Sequence, residues 1–261
     1  MMLSQLKELY RYRDLLLSLA IRDIKVRYRQ TLLGFAWAVA QPLAYMLIFT
    51  LVFSKFGQVS SDGTPYPLFS YTGLVPWTFF ATALGLAVNS IAANMSLVKK
   101  IYFPREVFPI GAILGCFVDF LVASLLVVGL MVFYHVPVNS QLIWLPWLIA
   151  LEIGFLIAAS LLVSALNVFY RDIKYIVPLC VQLGLFVTPV IYSSSKVPAH
   201  WRDLYMLNPM AVVIDGVRRV ILHGQPPEWQ SLVTSTLFVG VLGVAAYLFF
   251  KRVEVKFADS I

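Results

Sequence analysis

Two carboxylic acids lie inside otherwise charge-free apolar runs, Asp119 within 107–134 and Glu152 within 142–169. At about 1.5 Å per residue, each would sit roughly 15–18 Å from the nearer end of a helix, close to the middle of a bilayer. An acid there costs about 2.5–3.5 kcal/mol on insertion scales, so each should face protein or water. Two acids at one depth are the raw material of a proton relay, yet no lysine, arginine or histidine is expected to share that depth. Structural acids, neutral or hydrogen-bonded, are the expectation. His135, His200 and His223 fall in connecting segments and lack the i, i+4 spacing of a helical metal site, so no metal is expected. Cys116 and Cys180 fall within apolar runs, where lone cysteines act as small hydrophobes. No lysine follows a glycine anywhere, so the GxxxxGK[ST] phosphate cradle is absent and the chain cannot hydrolyse ATP by that route.

The elements that would carry these residues belong to a membrane. Of the 261 residues, 60% are apolar and 13% charged, against about 25% charged in an ordinary soluble domain. Six runs approach the ~20 residues that a helix needs to cross hydrocarbon: Leu32–Ser54, Tyr71–Met95, Val107–Tyr134, Leu142–Phe169, Tyr175–Tyr192 and Ser231–Phe250. Continuously apolar runs satisfy their backbone as helices and do not alternate like barrel strands, so the fold is read as an all-α integral membrane protein of six spans. With both termini inside, fifteen of the twenty basic residues fall on the inner side, as the positive-inside rule requires. That distribution accounts for the net charge of +7 without nucleic acid.

The domain reading is an interfacial helix over 1–31 followed by a six-span domain over 32–261. Along Leu15–Gln30, at 100° per residue, Leu17, Ile21, Ile24 and Tyr28 share one side while Arg22, Lys25 and Arg29 share another; Val26 and Arg27 depart slightly from the pattern. Such a helix would lie in the headgroup region as an anchor. Its cations, Arg22, Lys25, Arg27 and Arg29, would alternatively meet an anionic lipid substrate.

The segment 96–109, "SLVKKIYFPREVFP", is the crowded polar patch between the second and third spans. Pro104 and Pro109 restrict it to a helical turn or two. Ile101, Tyr102 and Phe103 are three large apolar residues in a row. They either dip into the interface or fill a pocket on a soluble partner, with Lys99, Lys100, Arg105 and Glu106 as a polar rim. The long segment 193–230 is too apolar for a free loop and is broken at Asn208-Pro209, which predicts two short re-entrant helices. Asp215 with Arg218 or Arg219 has the spacing of an ion pair on one helical face. Tyr45, Phe49, Tyr71 and Phe79 are aromatic candidates for lining a sugar path.

"RDIKVRYRQTLLGFAWAVAQPL", "LVPWTFF", "LVKKIYFPREVFP", "SALNVFYRDIKYIVP", "TPVIY", "LNPMAVVIDGVR" and the terminal "KFADSI" together resemble the permease subunit of bacterial polysaccharide ABC exporters, the group that moves O-antigen and teichoic acid. The resemblance implies a non-catalytic homodimer in the bacterial cytoplasmic (inner) membrane with both termini cytoplasmic. It would be paired with two ATP-binding-cassette ATPase subunits that hold the ATP and Mg, so this chain itself carries no cofactor. The cargo would be a polysaccharide on a polyprenyl diphosphate lipid. The resemblance places Leu97, Val98, Lys99, Lys100, Ile101, Tyr102, Phe103, Arg105 and Glu106 in the ATPase-coupling loop, and Asn208, Pro209, Met210, Asp215, Arg218 and Arg219 in an outer gate. Two other readings stand beside it. An ion-coupled carrier would need an internal repeat or denser intramembrane polar groups. An integral membrane enzyme of lipid-linked sugars would need a catalytic cluster that Arg171 and Asp172 do not make.

Overall fold

A computed structural model describes residues 11–29, 34–56, 61–100 and 103–257, and among these there is no strand. The helices are α1 (Arg13–Tyr28), α2 (Trp37–Phe49), α3 (Tyr66–Ala93), α4 (Met95–Lys100), α5 (Val107–Phe133), α6 (Leu145–Phe169), α7 (Ile173–Val187), α8 (Ala199–Tyr205), α9 (Pro209–Leu222) and α10 (Trp229–Glu254). Short 3-10 turns precede α2, α6 and α8, and α2 continues as π-helix over Thr50–Phe56. Four helical stretches are long and apolar enough to cross a membrane: Tyr66–Ala93, Val107–Phe133, Ser140–Phe169 and Trp229–Glu254. The runs predicted as first and fifth spans form shorter apolar helices.

The centre of the bundle is α3, which packs against α2, α5, α6, α7 and α9. Leu68, Phe69, Tyr71, Leu74, Ala83, Ala87 and Ile91 are sealed on all its sides, as a helix apolar around its circumference requires. Local chemistry sets the ends of the elements. His135 adopts φ 57 just past α5, where its N–H bonds the Val132 carbonyl at 3.2 Å and the Val136 N–H bonds that of Met131 at 2.9 Å. This double closure in left-handed backbone is a Schellman cap, which gives that histidine a structural role. The Asn208 side chain accepts from the Met210 N–H at 3.0 Å and Pro209 opens α9, so the Asn-Pro break starts a helix.

One sequence expectation is corrected. The fifth predicted span, Tyr175–Tyr192, stops being helical at Val187: Thr188 is extended because Pro189 follows it. The N-terminal helix packs against the protein on a side other than the one expected to meet the interface. Leu16, Leu19 and Ala20 are buried, whereas Leu17 and Ile21 of the predicted apolar face remain 52% and 49% exposed. The cause lies on α5, where Gly111 and Gly115 form a small-x-x-x-small strip that admits α1 closely. A methyl on Gly111 would touch Leu19 Cβ at 3.6 Å, and one on Gly115 would touch Ile24 Cγ1 at 3.8 Å. α1 therefore rides along α5 for more than two turns.

Candidate functional site

The last turn of α1 closes a cavity of about 180 Å³ against α2, α3 and α5. Arg27 forms an ion pair with Asp119, and the Tyr28 hydroxyl donates to the other oxygen of the same carboxylate at 2.6 Å. Arg27 Nη2 also approaches Cys116 Sγ at 3.6 Å. Burial, and then the hydrogen bond to Asp119, push the Tyr28 phenol up to about 12, so it stays a donor. The expectation that no cation reaches the depth of Asp119 is thus overturned. Arg27, one of the two residues that depart from the amphipathic pattern of α1, points inward and supplies the missing charge. Its neighbours do otherwise: Arg22 pairs with Asp23 at 2.9 Å and donates to Asn94 at 3.0 Å, while Lys25 and Arg29 are exposed. Glu152 is sealed within the protein, 1% exposed, and its Oε1 has no hydrogen-bond partner among the described residues.

A second cleft, of about 290 Å³, opens between α2, α3 and α7. It shares Gln41, Thr78 and Thr82 with the first cavity, and adds Tyr45, Trp77 and Gln182. Tyr45 is 41% exposed and stacks on Phe49 with centroids 6.0 Å apart. The other two aromatic candidates are buried, Phe79 in the wall of the first cavity. Tyr71 is buried with its hydroxyl on the Ala123 carbonyl at 3.3 Å, and Phe79 is buried against Phe117 and Phe120. Gly184 lets α7 approach, since a Cβ there would meet Trp77 Cη2 at 3.0 Å. Of the fifteen residues of α7 only Val177 is buried, so most of this apolar helix is uncovered.

At the opposite end of α3, Arg218 is 4% exposed in a cage of backbone carbonyls. It donates to Phe69 at 3.2 Å, Val190 at 2.6 Å, Tyr192 at 3.2 Å and Pro189, with its guanidinium 3.7 Å above the Phe69 ring. This replaces the predicted pairing of Asp215 with Arg218 or Arg219. Asp215 instead accepts from the Ser194 hydroxyl, and Arg219 donates to the Pro226 carbonyl at 3.1 Å. The carbonyls that Pro189 frees from a helix ladder are what Arg218 satisfies, so the extended stretch after α7 and the start of α3 are tied to α9. Met210 is buried within α9. The Tyr192 and Tyr205 hydroxyls meet at 3.1 Å, and burial pushes the Tyr205 phenol well up.

The patch between α3 and α5 begins as α4, with Val98 buried, Leu97 half-buried and Lys99 exposed. Ile101 and Tyr102 lie outside the described residues. Phe103 is not a free anchor: it is 7% exposed and packs edge-on against Phe108 at 5.4 Å. Glu106 is not a rim residue either. It is 2% exposed and receives Lys251 at 2.9 Å, and Lys251 also pairs with Glu254 at 3.1 Å. Arg105 lies 5.7 Å from the ring of Phe257, itself sealed against Phe169 and Phe250. The turn is thus bolted to the end of α10 by residues about 145 positions away, a link that no local pattern announces.

Among the described residues no group of three metal-ligating side chains occurs, and Cys116 and Cys180 are free, the latter exposed on α7. The model of the ABC-2 type transporter family matches residues 14–222. The chain is 30% identical over 263 residues to the O-antigen export system permease protein RfbA of Myxococcus xanthus, covering all of both chains. A protein of the same name from Klebsiella pneumoniae is 30% identical over 249 residues, 94% of each chain. The polysialic acid transport protein KpsM of Escherichia coli is 24% identical over 242 residues, covering 88% of this chain and 91% of that one.

Proposed function

The chain belongs to the ABC-2 type transporter family, and on that premise we propose that it is the membrane permease of a polysaccharide exporter energised by a separate ATP-binding-cassette ATPase. The cargo is a lipid-linked polysaccharide of the kind named for its relatives, O-antigen or polysialic acid. The working unit is a homodimer with two ATPases in the bacterial cytoplasmic membrane, both termini on the ATPase side. α2 with its π-helical extension and α7 serve as the first and fifth of six spans, and α8 and α9 form the outer gate.

The observation that carries this reading is the cleft between α2, α3 and α7. Gln41, Thr78, Thr82 and Gln182 line it together with Tyr45, Trp77 and apolar residues such as Leu74 and Val181. Such walls offer a sugar chain many shallow contacts and no deep minimum, which suits a sliding polymer. The cleft is bordered by α7, of whose residues only Val177 is buried, so a second copy packed on α7 would close the half-channel. The α4 turn supplies the input. Lys99 and the exposed side of α4 meet the ATPase, while Phe103, Glu106 and Lys251 carry its movement into α5 and α10. A free loop would dissipate that movement; an internally bolted one transmits it.

Deleting the gene in its source bacterium tests the reading. The expected phenotype is loss of surface polysaccharide with lipid-linked polymer accumulating inside, restored by the wild-type chain. Unchanged surface glycan would remove the proposed role.

A further inference from the structure

A third cavity, of about 340 Å³, lies between α3, α5, α6 and α9 and shares no residue with the α2–α3–α7 cleft. Its walls are mostly apolar, Val75, Ile149 and Val217 among them. Val128 and Val132 line it and are also exposed, so it opens on the flank of the bundle. Three of its lining residues are polar: Thr72, Ser124 and Glu152. The Thr72 hydroxyl donates to the Leu68 and Phe69 carbonyls at 3.0 and 2.9 Å, and that of Ser124 to the Phe120 carbonyl at 2.7 Å. A hydroxyl has one proton and two lone pairs, so both residues have only acceptor capacity left. Glu152 is 1% exposed, and its Oε1 has no hydrogen-bond partner among the described residues. Among the described residues no lysine, arginine or histidine lines this cavity, although a buried acid calls for a partner.

We propose that this cavity binds a compact lipophilic amine, with its ammonium paired to Glu152 and its apolar body against the valine and leucine walls. An ammonium has three donors and no acceptor, the complement of a wall whose polar groups accept. Glu152 takes one N–H in a charge-assisted bond, and the lone pairs of Ser124 and Thr72 are available to the others. An amine that enters uncharged takes the proton of the Glu152 carboxyl, so the pair forms without a net change of charge. An alcohol of the same shape brings one donor and no charge, and gains less. A phospholipid brings a phosphate for which the wall has no donor. The volume falls in the range of small-ligand sites, about 300–1,000 Å³. Because the walls come from four helices, an occupant ties α9 to α5 and α6. The site stands without the exporter reading; on that reading α9 belongs to the outer gate, and the expected effect of the amine is inhibition of export.

Photolabelling of the full chain in nanodiscs with a diazirine-bearing alkylamine tests this, the labelled peptides being mapped by mass spectrometry. The label should fall on the lining segments of α5, α6 and α9. Adamantylamine and adamantanol, which share one apolar body and differ in the head, serve as competitors. The amine should displace the label at a concentration about tenfold lower than the alcohol. Glu152→Gln keeps the shape of the side chain and removes its charge, and should bring the two competitors to equal potency. Val128→Trp, at an exposed position on the mouth, serves if Glu152→Gln does not fold, and should cut labelling several-fold. Equal competition by amine and alcohol on the wild type, or amine-selective labelling that survives Glu152→Gln unchanged, would overturn the proposal. Glu152-dependent labelling of a chain that exports no glycan would sink the exporter reading alone; Glu152-independent labelling of a chain that does export would sink this inference alone.

Discussion

Lys251→Met should destabilise the protein far more than Glu106→Gln, although both break the same ion pair. Glu106 is 2% exposed, so losing Lys251 strands a buried carboxylate without its ion-pair partner. Breaking a buried pair in this way costs about 3–5 kcal/mol, and the 17% exposure of the Lys251 side chain places the value near the lower end. Glu106→Gln leaves a neutral amide in the core and a lysine that still pairs with Glu254 at 3.1 Å, a loss of about 1 kcal/mol. At roughly 2–4 °C per kcal/mol for a chain of this size, Tm should fall by about 6–12 °C for Lys251→Met and about 2–4 °C for Glu106→Gln. The double variant buries no charge at this point and should be more stable than Lys251→Met alone. Thermal unfolding followed by tryptophan fluorescence in one detergent reads all three. Equal shifts for the two single variants, or a double variant at least as unstable as their sum, would refute the bolted turn.

Further outcomes follow from the same geometry. Gly73→Ala puts a Cβ 2.5 Å from Arg218 Nη2 and 3.2 Å from the Val190 carbonyl, so it should cost about 1–3 kcal/mol in thermal unfolding; Gly85→Ala, with nothing within 4 Å, should cost nothing. Arg218→Lys cannot reach four carbonyls, and trypsin should cut after Lys196 about tenfold faster while the helical circular dichroism stays unchanged. Tyr45→Ala and Gln182→Ala should lower glycan export with Tm unchanged. Tyr71→Ala, buried in the core, should lower Tm by several degrees instead.

The helices were legible because hydrophobic runs need only local information. Charge-free stretches, the Asn208-Pro209 break and Pro104 all mark elements that the structure contains. The inward face of α1 was not legible, because it depends on what it packs against. Gly111 and Gly115 accept Leu16, Leu19 and Ala20 closely, and that packing outweighs the period of Leu17, Ile21 and Ile24. The polar sites were hidden for a related reason. Arg27 meets Asp119 across 92 positions, Lys251 meets Glu106 across 145, and Arg218 binds carbonyls, which carry no residue signature. One signal was present: Arg27, like Val26, departs from the helical pattern, and a cation on the wrong face of a membrane helix asks for a buried acid. Asp119 was the acid available.

The central claim is that this chain moves glycan only when a separate ATPase drives it through the α4 turn. The most direct measurement reconstitutes the purified chain in proteoliposomes with lipid-linked polysaccharide, with and without its cognate ATP-binding-cassette ATPase, and scores polymer reaching the lumen. Translocation that requires both the ATPase and hydrolysable ATP is the predicted result. Translocation at the same rate by the chain alone, with no nucleotide present, would contradict it.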